Sequence, residues 1–161
     1  MFQVMRRSRQ ALSWQETEEI LRRGTSGVLA LAGAEGYPYA VPLSYVYTQG
    51  ILYFHCAKVG HKLESIRRCE KASFCVVDRD EIKPEAYTTY YRSAIAFGRV
   101  RILESEEEKR HAIEQLSPKY HPMDTPAHRK AVIDREYAPL CMLAFTVEHM
   151  TGKQAIELTK A

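Results

Sequence analysis

Between Tyr53 and Lys62 the chain sets His55, Lys58, His61 and Lys62 close together, with the smaller Cys56, Ala57 and Gly60 among them. Two imidazoles and two ammonium groups on so short a segment suit an anion, and the elements around them suggest which kind. Ile51, Leu52, Tyr53 and Phe54 form an apolar run after the turn signal Thr48-Gln49-Gly50, while Leu63 and Ile66 mark one helical face after Gly60. A strand running into a helix over about 60–68 is therefore predicted. The first backbone N–H groups of a helix have no internal partner and lie at the positive end of its dipole, and no acid intervenes before Glu64. A phosphate would suit such a junction. The same residues are also compatible with a solvated basic loop.

The 161 residues fit one domain, taken as 1–161, with a basic arm over 1–12 and a tail over 151–161. With 45% hydrophobic and 27% charged residues the composition is that of a globular chain. No stretch approaches the roughly 18 apolar residues of a membrane span, so no membrane partner is expected. Basic residues near Met5 are not followed by an apolar core of a secretory signal, which makes the cytoplasm the expected location. Cys56, Cys69, Cys75 and Cys141 form no C-x-x-C pair and read as reduced thiols, with Cys75 and Cys141 as core packing. No zinc-type spacing joins them to the six histidines, so no metal is expected. The net charge of +3, spread among twenty acids, argues against a nucleic-acid partner despite Arg6, Arg7 and Arg9.

Ser13 and Glu16 have the spacing of a capping box, opening a helix that Gly24 stops. Strands are predicted at 27–31, 37–47, 51–55, 72–77, 91–103 and 140–147, with helices at 104–116 and 127–137. Asp78 to Glu85 reads as a charged loop, and 118–126 as an irregular connection. Pro38 and Pro42 lack the ladder N–H, which predicts an interruption or an edge strand, and Gly98 predicts a bulge or close approach. Strands that follow one another by short turns favour a mainly β fold with peripheral α-helices, a six-stranded antiparallel barrel, over a doubly wound sheet. Neither G-x-G-x-x-G nor a P-loop signature occurs.

With these elements in order, the chain closely resembles the FMN-binding split-barrel proteins related to pyridoxamine 5'-phosphate oxidase, in particular the nitroimidazole-resistance (5-nitroimidazole reductase) branch. The resemblance covers nearly the whole chain and rests on Met5-Arg6-Arg7, Gly36 to Tyr47, Phe54 to Lys62, Ser73 to Val77 and Thr88 to Gly98. It implies a split β-barrel that forms a homodimer, with two FMN sites at the interface. It places Val41, Pro42, Leu43 and Ser44 along the flavin ring and ribityl chain. Cys56, Ala57, Lys58, His61 and Lys62 fall at the phosphate end, and Lys153, beside Gln154, within reach of the flavin. Cys56 stands where relatives commonly carry serine, a stronger donor, which implies a looser grip. Tyr90, Tyr91 and Arg92 fall on the substrate side.

His55 is the catalytic candidate, because its strand end leads into the junction and this branch carries a histidine there. A neutral imidazole could donate to a flavin oxygen or relay a proton to a substrate. A half-buried structural histidine is the competing reading. Two function classes follow from the resemblance. One is a reductase carrying electrons from NAD(P)H through FMN to a nitroaromatic or other small-molecule acceptor. The other is a flavin- or haem-binding protein without turnover. A pyridoxamine-phosphate-oxidase-like enzyme ranks third, since its C-terminal arginine and histidine motif is not found.

Overall fold

A computed structural model describes residues 2–160, with the side chain of residue 160 left aside. Its first helix, α1 (Trp14–Arg23), begins as the capping box dictates. The Ser13 Oγ accepts from the Glu16 N–H at 3.2 Å, and the Glu16 carboxylate accepts from the Ser13 N–H at 2.8 Å. The bonds that the Ser13 N–H and hydroxyl donate to the charged carboxylate hold the Glu16 carboxyl below its usual range. Gly24 closes the helix by donating to the Ile20 carbonyl at 3.0 Å, and Ile20 and Leu21 are buried.

Seven strands follow, one more than the sequence predicts: β1 (Ser26–Ala32), β2 (Pro38–Ser44), β3 (Val46–Thr48), β4 (Ile51–Ala57), β5 (Lys71–Lys83), β6 (Thr88–Ile102) and β7 (Leu140–Gln154). They form one antiparallel sheet in the order β2-β1-β5-β6-β7-β4-β3. The extra strand arises because the 37–47 segment is broken at Tyr45. That residue leaves the ladder, is fully buried, and donates its hydroxyl to the Leu21 carbonyl at 2.7 Å. The two edge strands, β2 and β3, are thus joined by one residue, which makes the sheet curl on itself although no ladder closes it. Leu29, Phe54, Phe74 and Phe145 fill the interior so enclosed. Pro38 and Pro42 lie on the edge strand β2, where a missing N–H leaves no ladder partner unsatisfied.

Three further boundaries differ from expectation. Asp78 to Lys83 is not a loop but the outer half of β5, paired through Arg79↔Arg92 and Glu81↔Tyr90 after a bulge at Val77. Its charges alternate with the strand period, so that Arg79 and Lys83 share a face, both bonded to Glu81 and both near the Tyr90 ring. The turn itself is only Pro84–Ala86, with Tyr87 in the left-handed region at φ 48°. The last strand runs to Gln154 rather than Val147, because Met150 and Gly152 continue the inward alternation beyond the bulge between Phe97 and Gly98. The segment from 151 is therefore strand before it is tail. The N-terminal arm is likewise anchored: Gln10 is buried, and Ala11 bridges to Lys153.

Two helices, α3 (Glu106–Tyr120) and α4 (Pro126–Glu136), pack outside the sheet. Pro118 lies within α3, so the helix continues one turn past its expected end. The apolar run in β4 is explained by burial on both faces: Leu52 and Phe54 join the main core inside the curled sheet, whereas Tyr53 joins Leu116 and Met142 beneath α3. Cys141 is buried, but Cys75 is half-buried and alternates with the core residues Phe74 and Val76, so it lies on the opposite face of β5 from the core. Among the described residues no helix is long and apolar enough to cross a membrane, and no group of three His, Cys, Asp or Glu side chains is placed to hold a metal ion.

Candidate functional site

The strand-to-helix junction forms as predicted. β4 ends at Ala57, and α2 (His61–Arg68) starts after Gly60, whose φ of 130° lies in a region that side chains disfavour. No side chain caps the helix; Leu63 and Glu64 bond back to the Gly60 carbonyl at 3.0 and 3.3 Å. The N–H groups of His61 and Lys62 are thus left for a ligand or solvent. Lys58 and His61 are exposed at the same turn, and the His61 ring lies 6.3 Å from Tyr39 of β2. That contact connects the junction to the opposite edge of the curled sheet.

Strand alternation divides the other candidates. In β2, Pro42 and Ser44 face outward and are exposed, while Val41 and Leu43 pack against the main core. The outer face of β2 can therefore meet a ligand through Pro42 and Ser44, and the inner pair offers backbone only. In β4, Cys56 shares the inner face with Phe54, packs against the core and stands opposite Cys141. Burial and the neighbouring Cys141 push its thiol up to about 12, against the opposing pull of Lys62. Its side chain packs against the core at the end of the strand that leads into the junction.

His55 shares the Tyr53 face and points toward α3. Its Nδ1 lies 3.2 Å from the hydroxyl of Tyr120 in the last turn of that helix. Partial enclosure, and secondarily the positive charge of Lys62, hold the imidazole below its ordinary pKa, so it is neutral at neutral pH. The Ser44 hydroxyl adjoins the same Tyr120 oxygen, whose own pKa is raised by burial. Ser44, His55, Lys62 and Tyr120 are thereby gathered from four elements. Sequence reasoning missed Tyr120, since placing 118–126 in a loop removed the helical turn that aims it. His55 and Tyr120 also border an open cavity of about 570 Å³ between β4 and the α3–α4 hairpin, with His121, Asp124 and His128 on its wall.

Lys153 does not join this group. It lies opposite Ser93 near the end of β7 remote from Leu140, the residue paired with Ala57, and its ammonium is 5.7 Å from the Tyr91 ring centroid. Arg92 instead reaches Glu16 of α1 at 3.2 Å.

The family model for pyridoxamine 5'-phosphate oxidase matches residues 13–154, from the capping serine to the end of β7. The chain belongs to that family. No curated protein shows significant similarity to it. Among solved structures, it is similar to a candidate 5-nitroimidazole antibiotic resistance protein from Bacteroides thetaiotaomicron, at 25% identity over 89% of this chain and 86% of that one, with a TM-score of 0.75. A FAD-binding protein from Mesorhizobium loti is 27% identical over 91% and 97% of the two chains, with a TM-score of 0.66. A FAD- and haem-binding protein from Mycobacterium smegmatis shares the fold at 20% identity, covering 91% of this chain and 73% of its own, with a TM-score of 0.73.

Proposed function

We propose that this family member is an FMN-dependent reductase that takes electrons from NAD(P)H and delivers them to a nitroimidazole or similar small acceptor. The observation that carries the reading is the placement of His55, neutral and bonded to Tyr120, between the uncapped start of α2 and an open cavity. The FAD-binding relative from M. loti and the resistance-protein relative from B. thetaiotaomicron support a flavin and a nitroimidazole respectively. FMN is preferred to FAD because a terminal phosphate monoester suits the free N–H groups of α2 and the charges of Lys58 and Lys62. When bound, FMN supplies the redox chemistry.

The chain's own residues hold and orient. Lys58, His61, Lys62 and the first N–H groups of α2 bind the phosphate, and Ala57 and Cys56 offer backbone. Pro42 and Ser44 present the outer face of β2 to the flavin, while Val41 and Leu43 fix that strand from inside. The neutral His55 relays a proton to the reduced acceptor: as the Nε2 proton is given up, Nδ1 takes the proton of the Tyr120 hydroxyl 3.2 Å away, which solvent in the open cavity replaces. Lys153 sits too far along β7 to serve its own subunit, so in this reading it reaches the flavin of a second one in a homodimer.

His55→Ala should keep FMN and lose most nitroimidazole reduction, about a hundred- to ten-thousandfold. Flavin content and NAD(P)H-dependent turnover measured on the same preparation decide it. Unchanged turnover would remove His55 from the chemistry. A wild-type protein that binds FMN yet is neither reduced nor reoxidised would be a flavin-binding module.

A further inference from the structure

Two of the four thiols face each other. Cys56 of β4 and Cys141 of β7 are directly opposed across the antiparallel ladder, and both lie on its inner face, Cys56 in step with Phe54 and Cys141 in step with Leu143. Val147 donates its N–H to the Gly50 carbonyl at 2.9 Å, and the two strands then run without a bulge to Ala57 and Leu140. Counting in steps of two, Cys56 and Cys141 form a pair of the hydrogen-bonded kind. Such a pair sets its Cα atoms about 5.5 Å apart, inside the range that a disulfide spans, and its Cβ atoms need about an ångström of further approach. The other cysteines have no such neighbour. Cys75 stands opposite Val28 and Ile95, and Cys69 ends α2 outside the ladder. Exposure sets an order within the pair: Cys56 is partly accessible, whereas Cys141 is 7% exposed. A small oxidant therefore meets Cys56 first and finds Cys141 behind it.

We propose that Cys56 and Cys141 form a redox site, a dithiol that hydrogen peroxide converts to an intrachain disulfide joining the end of β4 to the start of β7. The Cys56 sulfur attacks one peroxide oxygen and the O–O bond breaks, giving a sulfenic acid and water. The Cys141 sulfur then displaces the sulfenic hydroxyl, which leaves as a second water while the S–S bond forms. The thiols give up two hydrogens and two electrons, and the peroxide is reduced to two waters. Burial, and after it the neighbouring Cys141, keep the Cys56 thiol protonated, and the thiolate is the reactive form, so the first step is slow and answers sustained peroxide rather than traces. The bond fixes the strand end that carries His55 and leads into α2. Its formation needs no flavin, so its outcome is separate from that of the reductase reading.

The test exposes the reduced full chain to hydrogen peroxide, blocks the remaining thiols with iodoacetamide in denaturant, and maps the peptides by mass spectrometry. The peptides carrying Cys56 and Cys141 should be joined within one chain, lighter by two hydrogens, and separated again by dithiothreitol. In Cys141→Ala the resolving thiol is gone, so dimedone should trap Cys56 sulfenic acid roughly tenfold more than in the parent. If that variant fails to fold, the map of the parent protein decides alone. Oxidation of Cys56 to sulfinic acid with Cys141 still free overturns the proposal, as does pairing of Cys56 with Cys69 or with a second chain. So does survival of both thiols once Cys75, half-buried and likewise raised by burial, has been oxidised.

Discussion

Lys62 acts on two partners at once. Its ammonium opposes protonation of His55, and in the proposed site it also faces the FMN phosphate. Lys62→Ala should therefore do two things. It should weaken FMN by about 1.5–3 kcal/mol, roughly ten- to a hundredfold, for the loss of a charge-assisted hydrogen bond. In the free protein it should also raise the His55 pKa, though not fully to the ordinary value of 6.5, because enclosure is the larger cause of the depression. Fluorescence quenching by the protein measures the first, and histidine NMR titration the second; an unmoved His55 titration would contradict the electrostatic link. The sign for stability follows from the same shift. A histidine whose folded pKa is depressed contributes stability above pH 6.5 that falls away as pH drops through the lower folded value. His55→Gln should thus flatten the acid side of a stability profile obtained by urea unfolding. The strand-to-helix junction was legible in the sequence because its apolar run, Gly60 and the helical face after it lie in one short segment, whereas the Tyr120 contact and the unpartnered Arg129 Nε and Ser117 Oγ depend on how two helices pack, which no local pattern encodes.

At the scale of elements, what was legible was what is local. The capping box, the edge placement of the proline-bearing strand and the Gly98 bulge each follow from a few neighbouring residues. The charged half of β5 was not legible, because Arg79, Glu81 and Lys83 show strand periodicity in charge rather than in hydrophobicity. The break at Tyr45 was equally hidden, since it depends on a carbonyl in α1. Gly98 tests the bulge directly. A Cβ there would stand 1.9 Å from the Thr146 carbonyl oxygen, a backbone atom that cannot swing aside. Gly98→Ala should cost about 1–3 kcal/mol or more in urea unfolding, whereas a variant as stable as the parent would show that β6 and β7 can separate there without penalty.

For the whole molecule, the β5–β6 hairpin beyond the Val77 bulge pairs chiefly with itself, and it carries Val77 at 64%, Ile82 at 72% and Tyr87 at 99% exposure. Apolar groups on a projecting arm suit a second copy of the chain, and Lys153, remote from its own junction, suits a flavin site completed across that contact. We expect sedimentation to find a dimer and Ile82→Asp to shift it toward monomer with parallel loss of FMN. A monomer that retains stoichiometric FMN would rule out the shared site.

The position of β7 has a kinetic consequence. This strand is inserted between β6 and β4, so that Phe54 to Ala57 find their ladder partners in β7 alone, and β4 otherwise pairs with nothing but the three-residue β3. During synthesis the β5–β6 hairpin can form early, from contacts close in the chain, while β4 waits with an open edge until β7 has emerged. His55, whose neighbour across the ladder is Met142, acquires its orientation in that final step. The junction proposed to receive a cofactor is thus completed only once β7 has docked, so loading would follow that step rather than guide the earlier ones.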